Sequence, residues 1–436
     1  MPPIRMDVLT QHFTEAAFLW SQWERALLSP DFELSETADL EERLLAHLDG
    51  LVLGGELVVS ELLLPALETN DAGQISAAAF ALLSADGKRE LEETLAVFDG
   101  GDAVQRQGVG RALGLCEREG LEALLHKRLT ADDGELRVAA FRVLALRGDA
   151  PVETRVKWLY RDDAAQVIAA LEDPRPLPQD IVQTVLPQLL VDPRPGVREA
   201  AITAGLISGA RTAWKACRKV AEEGGEGRPR CLMVLALGGE VQDVERLASL
   251  LSQAELRADV LWTLGFTGQS VAAEACLEYL ENEEVAPLAG EAFSAITGLK
   301  LEGKYRRPPP PEKEPLIPLE EEDLDANLVP GPEASLPLPR PGAVEGWWQK
   351  ARKDFERGAR YLRGKKVGGA EDLLEALQHE PMRRHPVHAL EVAIRSRGAQ
   401  GLQPRAFTRR QLAAWEKARA ERASVSLSPF AKLFGG

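Results

Sequence analysis

One stretch recurs in altered form along the chain and limits what it can fold into. Leu136 to Asp149 reads Leu-Arg-Val-Ala-Ala-Phe-Arg-Val-Leu-Ala-Leu-Arg-Gly-Asp, with Val138, Phe141, Leu144 and Ala145 at helical spacing. Small Ala139 and Ala140 permit close approach of a neighbouring helix, and Gly148 supplies a stop. Variants follow at Val197 to Leu206, Pro229 to Gly238 and Leu256 to Gly265. Second-helix patterns start at Ile75, Val104, Leu136, Val197, Pro229, Leu256 and Leu288, and a degenerate copy occupies Ala165 to Leu171. About eight units of roughly thirty residues result, each a helix, a turn and a helix. One such pair cannot bury its apolar stripe alone. Consecutive pairs are therefore expected to stack into a right-handed superhelical rod with a concave inner surface.

Composition agrees. Hydrophobic residues reach 45% while aromatics stay at 6%, which suits stacked helices better than a β-sandwich. The fold class expected is all-α, a helical-repeat solenoid, followed by a Pro-rich linker and a small basic helical module. The divisions are 1–56 for an amino-terminal helical cap, 57–303 for the array, 304–342 for the acidic Pro-rich linker and 343–436 for the basic module. Residues 7–28 form the first helix, which brings Phe13, Ala17, Trp20 and Leu27 to one face, and residues 40–51 continue as a second. Residues 344–364, 370–377, 387–395 and 411–423 are read as the helices of the last module.

Charge is divided along the chain. Residues 1 to 300 carry 28 Lys and Arg against 49 Asp and Glu, a balance of −21, whereas residues 340 to 436 carry 20 against 10, or +10. An acidic array beside a basic tail suggests that the tail docks on the array, or that each meets its own partner. Four scattered cysteines, Cys116, Cys217, Cys231 and Cys276, form no C-x-x-C pair, so neither a zinc site nor a disulfide framework is indicated. No apolar run of membrane-spanning length occurs, and a cytoplasmic location is expected.

Candidate partner-binding residues fall into three groups. Trp20 and Trp23 offer either an exposed hot spot or a hydrophobic cap over the first repeat. Arg137, Arg198 and Arg257 recur at one phase, as a basic ladder on the inner surface or as donors to neighbouring turns. Trp347 and Trp348, with Arg352 and Arg360, interleave aromatic and basic side chains, a pattern that also serves nucleic acid. The acidic remainder of the chain argues against nucleic acid.

Asp192-Pro-Arg-Pro-Gly-Val-Arg-Glu-Ala-Ala201 resembles the second-helix signature of HEAT repeats, whereas the Trp, Gly, Tyr and Pro spacing of tetratricopeptide repeats is not evident. His379-Glu380 is similar to the iron-binding pairs of HEAT-type deoxyhypusine hydroxylases. It occurs here once, immediately before Pro381 and outside the array, so no metal, cofactor or catalytic residue is expected.

Three further stretches together resemble a bacterial family of uncharacterised HEAT-repeat proteins often encoded beside type VI secretion genes. They are His12 to Trp20, Asp39 to Leu51, and Trp347 to Gly364 with Met382 to Glu391 downstream. The resemblance implies context and no activity. It leads to the expectation of a non-enzymatic adaptor or chaperone for a secretion component or effector. An immunity protein that neutralises a cognate toxin is the alternative.

Overall fold

The computed structural model describes residues 5–85, 87–308, 331 and 333–435. The chain is all-α: among the described residues its elements are helices apart from one hairpin of two-residue strands, Tyr361–Leu362 with Lys365–Lys366. The second helices expected from the periodicity are Ala72–Ser84, Ala103–Leu115, Gly134–Arg147, Ala164–Glu172, Val197–Ile207, Arg228–Gly238, Arg257–Leu264 and Ala286–Thr297. Local chemistry sets their ends. Asp102 and Gln105 form a reciprocal capping box at the start of Ala103–Leu115. Gly148, at φ 87°, ends Gly134–Arg147 in the left-handed conformation, and Asp149 N–H donates back to the Leu144 carbonyl at 2.8 Å.

Two compact units emerge, and neither is a continuous stretch of chain. The first comprises residues 1–28, 32–216 and 379–425; the second comprises 29–31, 217–378 and 426–436. Residues 343–436 are thus divided between the units.

In the first unit Met6–Ala26 packs on Leu34–Leu53 and on Ala72–Ser84, and the second helices then pack one on the next as far as Val197–Ile207. This is a helical repeat-like order. Its core is drawn from Leu82, Val109, Phe141, Val167 and Ile202, each at most 2% exposed. The returning segment supplies His385–Arg395, which packs against Val197–Ile207, and Thr408–Ala420, which packs against Leu34–Leu53. In the second unit Arg228–Gly238, Arg257–Leu264 and Ala286–Thr297 pack in succession.

One expectation changes. The helix expected over 344–364 ends at Ala351, and a hairpin follows whose turn places Arg363 at φ 47° and Gly364 at φ 80°. Tyr361 N–H donates to the Gly268 carbonyl and Arg363 N–H to that of Ala295, each at 2.7 Å, so this backbone is held by another segment rather than by a helix. The Pro-rich stretch falls largely outside the described residues. Its flanks, however, are paired: Arg306 bridges Pro339, Arg307 N–H donates to the Leu338 carbonyl and Arg340 N–H to that of Tyr305, both at 2.8 Å. Chain that leaves at 308 therefore returns beside its point of departure.

No single helix among the described residues is long and apolar enough to cross a membrane.

Candidate functional site

The first unit contains a groove of about 1400 Å³. Its walls come from Met6–Ala26 and from one face of four consecutive second helices, Ala72–Ser84 to Ala164–Glu172, with Arg405 at one edge. The repeat explains this continuity, because equivalent positions on stacked helices recur along one surface. Small residues, including Ala72, Ala103, Gly110, Ala139 and Ala165, keep the surface open.

Charge is balanced within the groove. Arg25, Arg106, Arg111, Arg142 and Arg405 line it together with Glu24, Asp133, Glu135, Asp163 and Glu172. Arg106 reaches forward one repeat, to Asp133 and Glu135, both at 3.0 Å. Arg142 does the same to Glu172 at 3.0 Å. Glu24 is shared by Arg111 and Arg405, and Arg111 also donates to the Arg405 carbonyl at 2.7 Å. Burial lowers the pKa of Arg111, and Glu24 opposes that shift. The acidity of residues 1 to 300 therefore does not extend to this surface, which offers mixed and already paired charge.

Trp20 reaches the groove lining from the core, and the other sequence candidates lie elsewhere. Trp20 and Trp23 are 1% and 0% exposed, so the exposed hot spot is corrected to a buried cap. They pack edge to face at 5.8 Å; Trp20 meets Phe80, and Trp23 meets Phe407 of the returning segment with centroids 5.0 Å apart. Glu41, 4% exposed, accepts from Trp23 Nε1 at 2.7 Å and from Thr408 N and Oγ1 at 2.8 and 2.6 Å. Desolvation raises its pKa. Trp348 is buried and Trp347 half-buried. Both rings lie against Phe293, and Trp348 continues through Phe355 to Tyr361, which covers helix Ala286–Thr297 of the second unit.

The arginine ladder divides in the same way. Arg137 donates to the Ala131 and Asp132 carbonyls at 2.6 and 3.0 Å, and Arg257 to that of Leu251 at 3.0 Å while lying 5.3 Å over the Tyr279 ring. These side chains satisfy carbonyls just ahead of their own helices and do not line the groove. Arg198 is half-buried. Arg352 pairs with Glu274 at 2.6 Å, and Arg360 donates to the Phe266 carbonyl at 3.2 Å. The groove residues that sequence reasoning missed are Arg106, Arg111 and Glu24. A signal was available for Arg106, since Asp133 and Glu135 follow it by about one repeat.

The histidines near residue 380 do not converge. His379 is exposed, whereas His385 and His388 are buried. His385 Nε2 donates to the Glu380 carbonyl at 3.0 Å, and burial pushes its pKa down to about 4. Glu391 holds Arg395 at 2.7 Å and stands 3.6 Å from His388 Nδ1; Glu380 holds Arg384 at 2.9 Å. This is a buried ion-pair network on two helical turns. Among the described residues no group of three or more His, Cys, Asp or Glu is gathered for a metal ion.

No family model matches the chain, and no curated protein is significantly similar to it. Solved structures with some likeness include an engineered protein, 18% identical with a TM-score of 0.27, covering 64% of this chain and 87% of that one. Human deoxyhypusine hydroxylase in complex with glycerol is 16% identical with a TM-score of 0.24, covering 65% of this chain and 97% of its own. Likeness this low carries no argument about activity.

Proposed function

We propose that the chain is a non-enzymatic, cytoplasmic protein-binding scaffold, an adaptor or chaperone that holds a component or effector of a bacterial type VI secretion machine. The supporting observation is the groove. It is an extended surface built from equivalent faces of four stacked helices, opened by the Ala and Gly positions in its lining, with charges paired across repeats. Such a surface supplies contact area for a polypeptide and orders few side chains on binding. The secretion context rests on the resemblance of the two ends of the chain to the bacterial HEAT-repeat family. An immunity protein that occludes a basic toxin needs an acidic face, and the balanced lining of the groove does not favour that role.

Ala165 lines the groove and is exposed, so a large side chain there fills the groove without entering the core. Affinity purification from a type VI-positive host, followed by mass spectrometry, compares the original chain with Ala165→Trp at equal helix content. Recovery of a secretion component or effector by the original chain, with loss of at least tenfold in the variant, is expected. Equal recovery by both proteins would remove the groove from the interaction. Neutralisation of a single toxin in a growth assay, with no secretion component recovered, would favour the immunity role instead.

A further inference from the structure

The first two helices hold a histidine pair that the groove does not use. His12 on Met6–Ala26 and His47 on Leu34–Leu53 face each other with Nδ1 to Nδ1 at 3.0 Å; the ring centroids are 5.0 Å apart and the planes meet at 61°. Both rings are half-buried, so solvent reaches the pair. One proton fits between the two nitrogens, with one Nδ1 donating and the other accepting. A cation that prefers imidazole competes for that position, because it replaces one shared proton with two bonds.

The neighbourhood leaves room for it. Gly50 lies one turn after His47 on the same helix, and a Cβ there would stand 3.4 Å from His12 Nδ1 and 3.5 Å from Cε1. Glycine keeps that side of the nitrogen open. Glu15, one turn from His12, and Arg43, one turn before His47, both act electrostatically on His47 and bring opposite charge.

We propose that His12 and His47, over the gap left by Gly50, bind one divalent first-row transition-metal ion through their Nδ1 atoms, with water completing the coordination. With metal–nitrogen bonds of about 2.0–2.1 Å, a separation of 3.0 Å corresponds to a nitrogen–metal–nitrogen angle of about 95°. That is the near-right angle of tetragonal and octahedral sites, so the separation suits Cu²⁺ and Ni²⁺. Tetrahedral Zn²⁺ needs the nitrogens to open to about 3.3 Å. Since no third protein ligand is gathered among the described residues, the site is an exchangeable one rather than a closed structural centre.

The test uses the full-length, tag-free chain and Ni²⁺ alone. Calorimetry at pH 7.5 should show one ion per chain, with affinity at least tenfold weaker in His12→Gln and in His47→Gln. Gly50→Val, which keeps both ligands and fills the gap, should also weaken it. The other four histidines, His126, His379, His385 and His388, remain in every variant, so uptake at those residues cancels. As a second measurement, electron paramagnetic resonance of added Cu²⁺ should show two coordinating imidazole nitrogens in the original chain and one in either His variant. Ni²⁺ uptake that is absent, or unchanged in His47→Gln, overturns the proposal. So does a Cu²⁺ nitrogen count that is the same in His12→Gln as in the original chain.

Discussion

Replacing Thr408 by valine removes a single hydroxyl at the place where the returning segment closes the first unit. That hydroxyl donates to Glu41 Oε2 at 2.6 Å, and Glu41 also accepts from Trp23 Nε1 and from Thr408 N–H, all in the core. Valine is close in shape, so packing against Trp23 and Phe407 is kept and the loss is that of one hydrogen bond to a buried carboxylate, about 2 kcal/mol. Two kcal/mol corresponds to a factor of about 30 in an opening equilibrium. Hydrogen exchange read by mass spectrometry should therefore show peptides of Met6–Ala26, Leu34–Leu53 and Thr408–Ala420 exchanging about 30-fold faster together, because Glu41 ties all three helices. Peptides of Ala286–Thr297 in the second unit serve as the reference. If Thr408–Ala420 alone accelerates while the two amino-terminal helices keep their protection, Glu41 does not couple them and the reasoning fails. Raising Glu41's pKa by burial sets the pH sense of this site. A carboxyl with a folded pKa above its unfolded one contributes most stability when protonated, and that contribution is lost as pH rises through the folded value.

Other perturbations have equally definite outcomes. His385 behaves in the opposite sense: its pKa falls from 6.5 to about 4 on folding, so its contribution is complete above pH 6.5 and is lost as pH falls toward 4. The full shift is worth about 3 kcal/mol, and urea denaturation at pH 7 and pH 4 should show that much more acid sensitivity in the original chain than in His385→Gln. Gly268 sits at φ 65°, and a Cβ there would lie 2.5 Å from the Tyr361 carbonyl oxygen. Gly268→Ala should displace the hairpin and open the chain at Arg360 and Arg363 to trypsin at least tenfold faster, whereas unchanged cleavage would mean that the hairpin is not held there.

Local sequence dictates the helical class, the second helices of the repeats and where most of them begin. These depend on local causes: apolar residues at helical spacing, caps such as Asp102 with Gln105, and Gly148 as a stop. It misjudged elements whose partners are distant in the chain. The helix read over 344–364 has acceptable composition, yet its second half pairs with Gly268 and Ala295, and no local period reports such a bond. Trp20 and Trp23 read as a cap on local grounds, but what closes over them is seen only with Phe407 against Trp23 and Thr408 on Glu41, 384 and 367 positions away. The arginines separate only by reach: Arg137 and Arg257 turn back to carbonyls six residues earlier, while Arg106 and Arg142 bridge to the next repeat and line the groove. Periodicity specifies which face of a helix is apolar. Which other face covers it, and which surface is left open, is decided by long-range packing, because burial and charge pairing depend on distances in space that sequence separation does not encode.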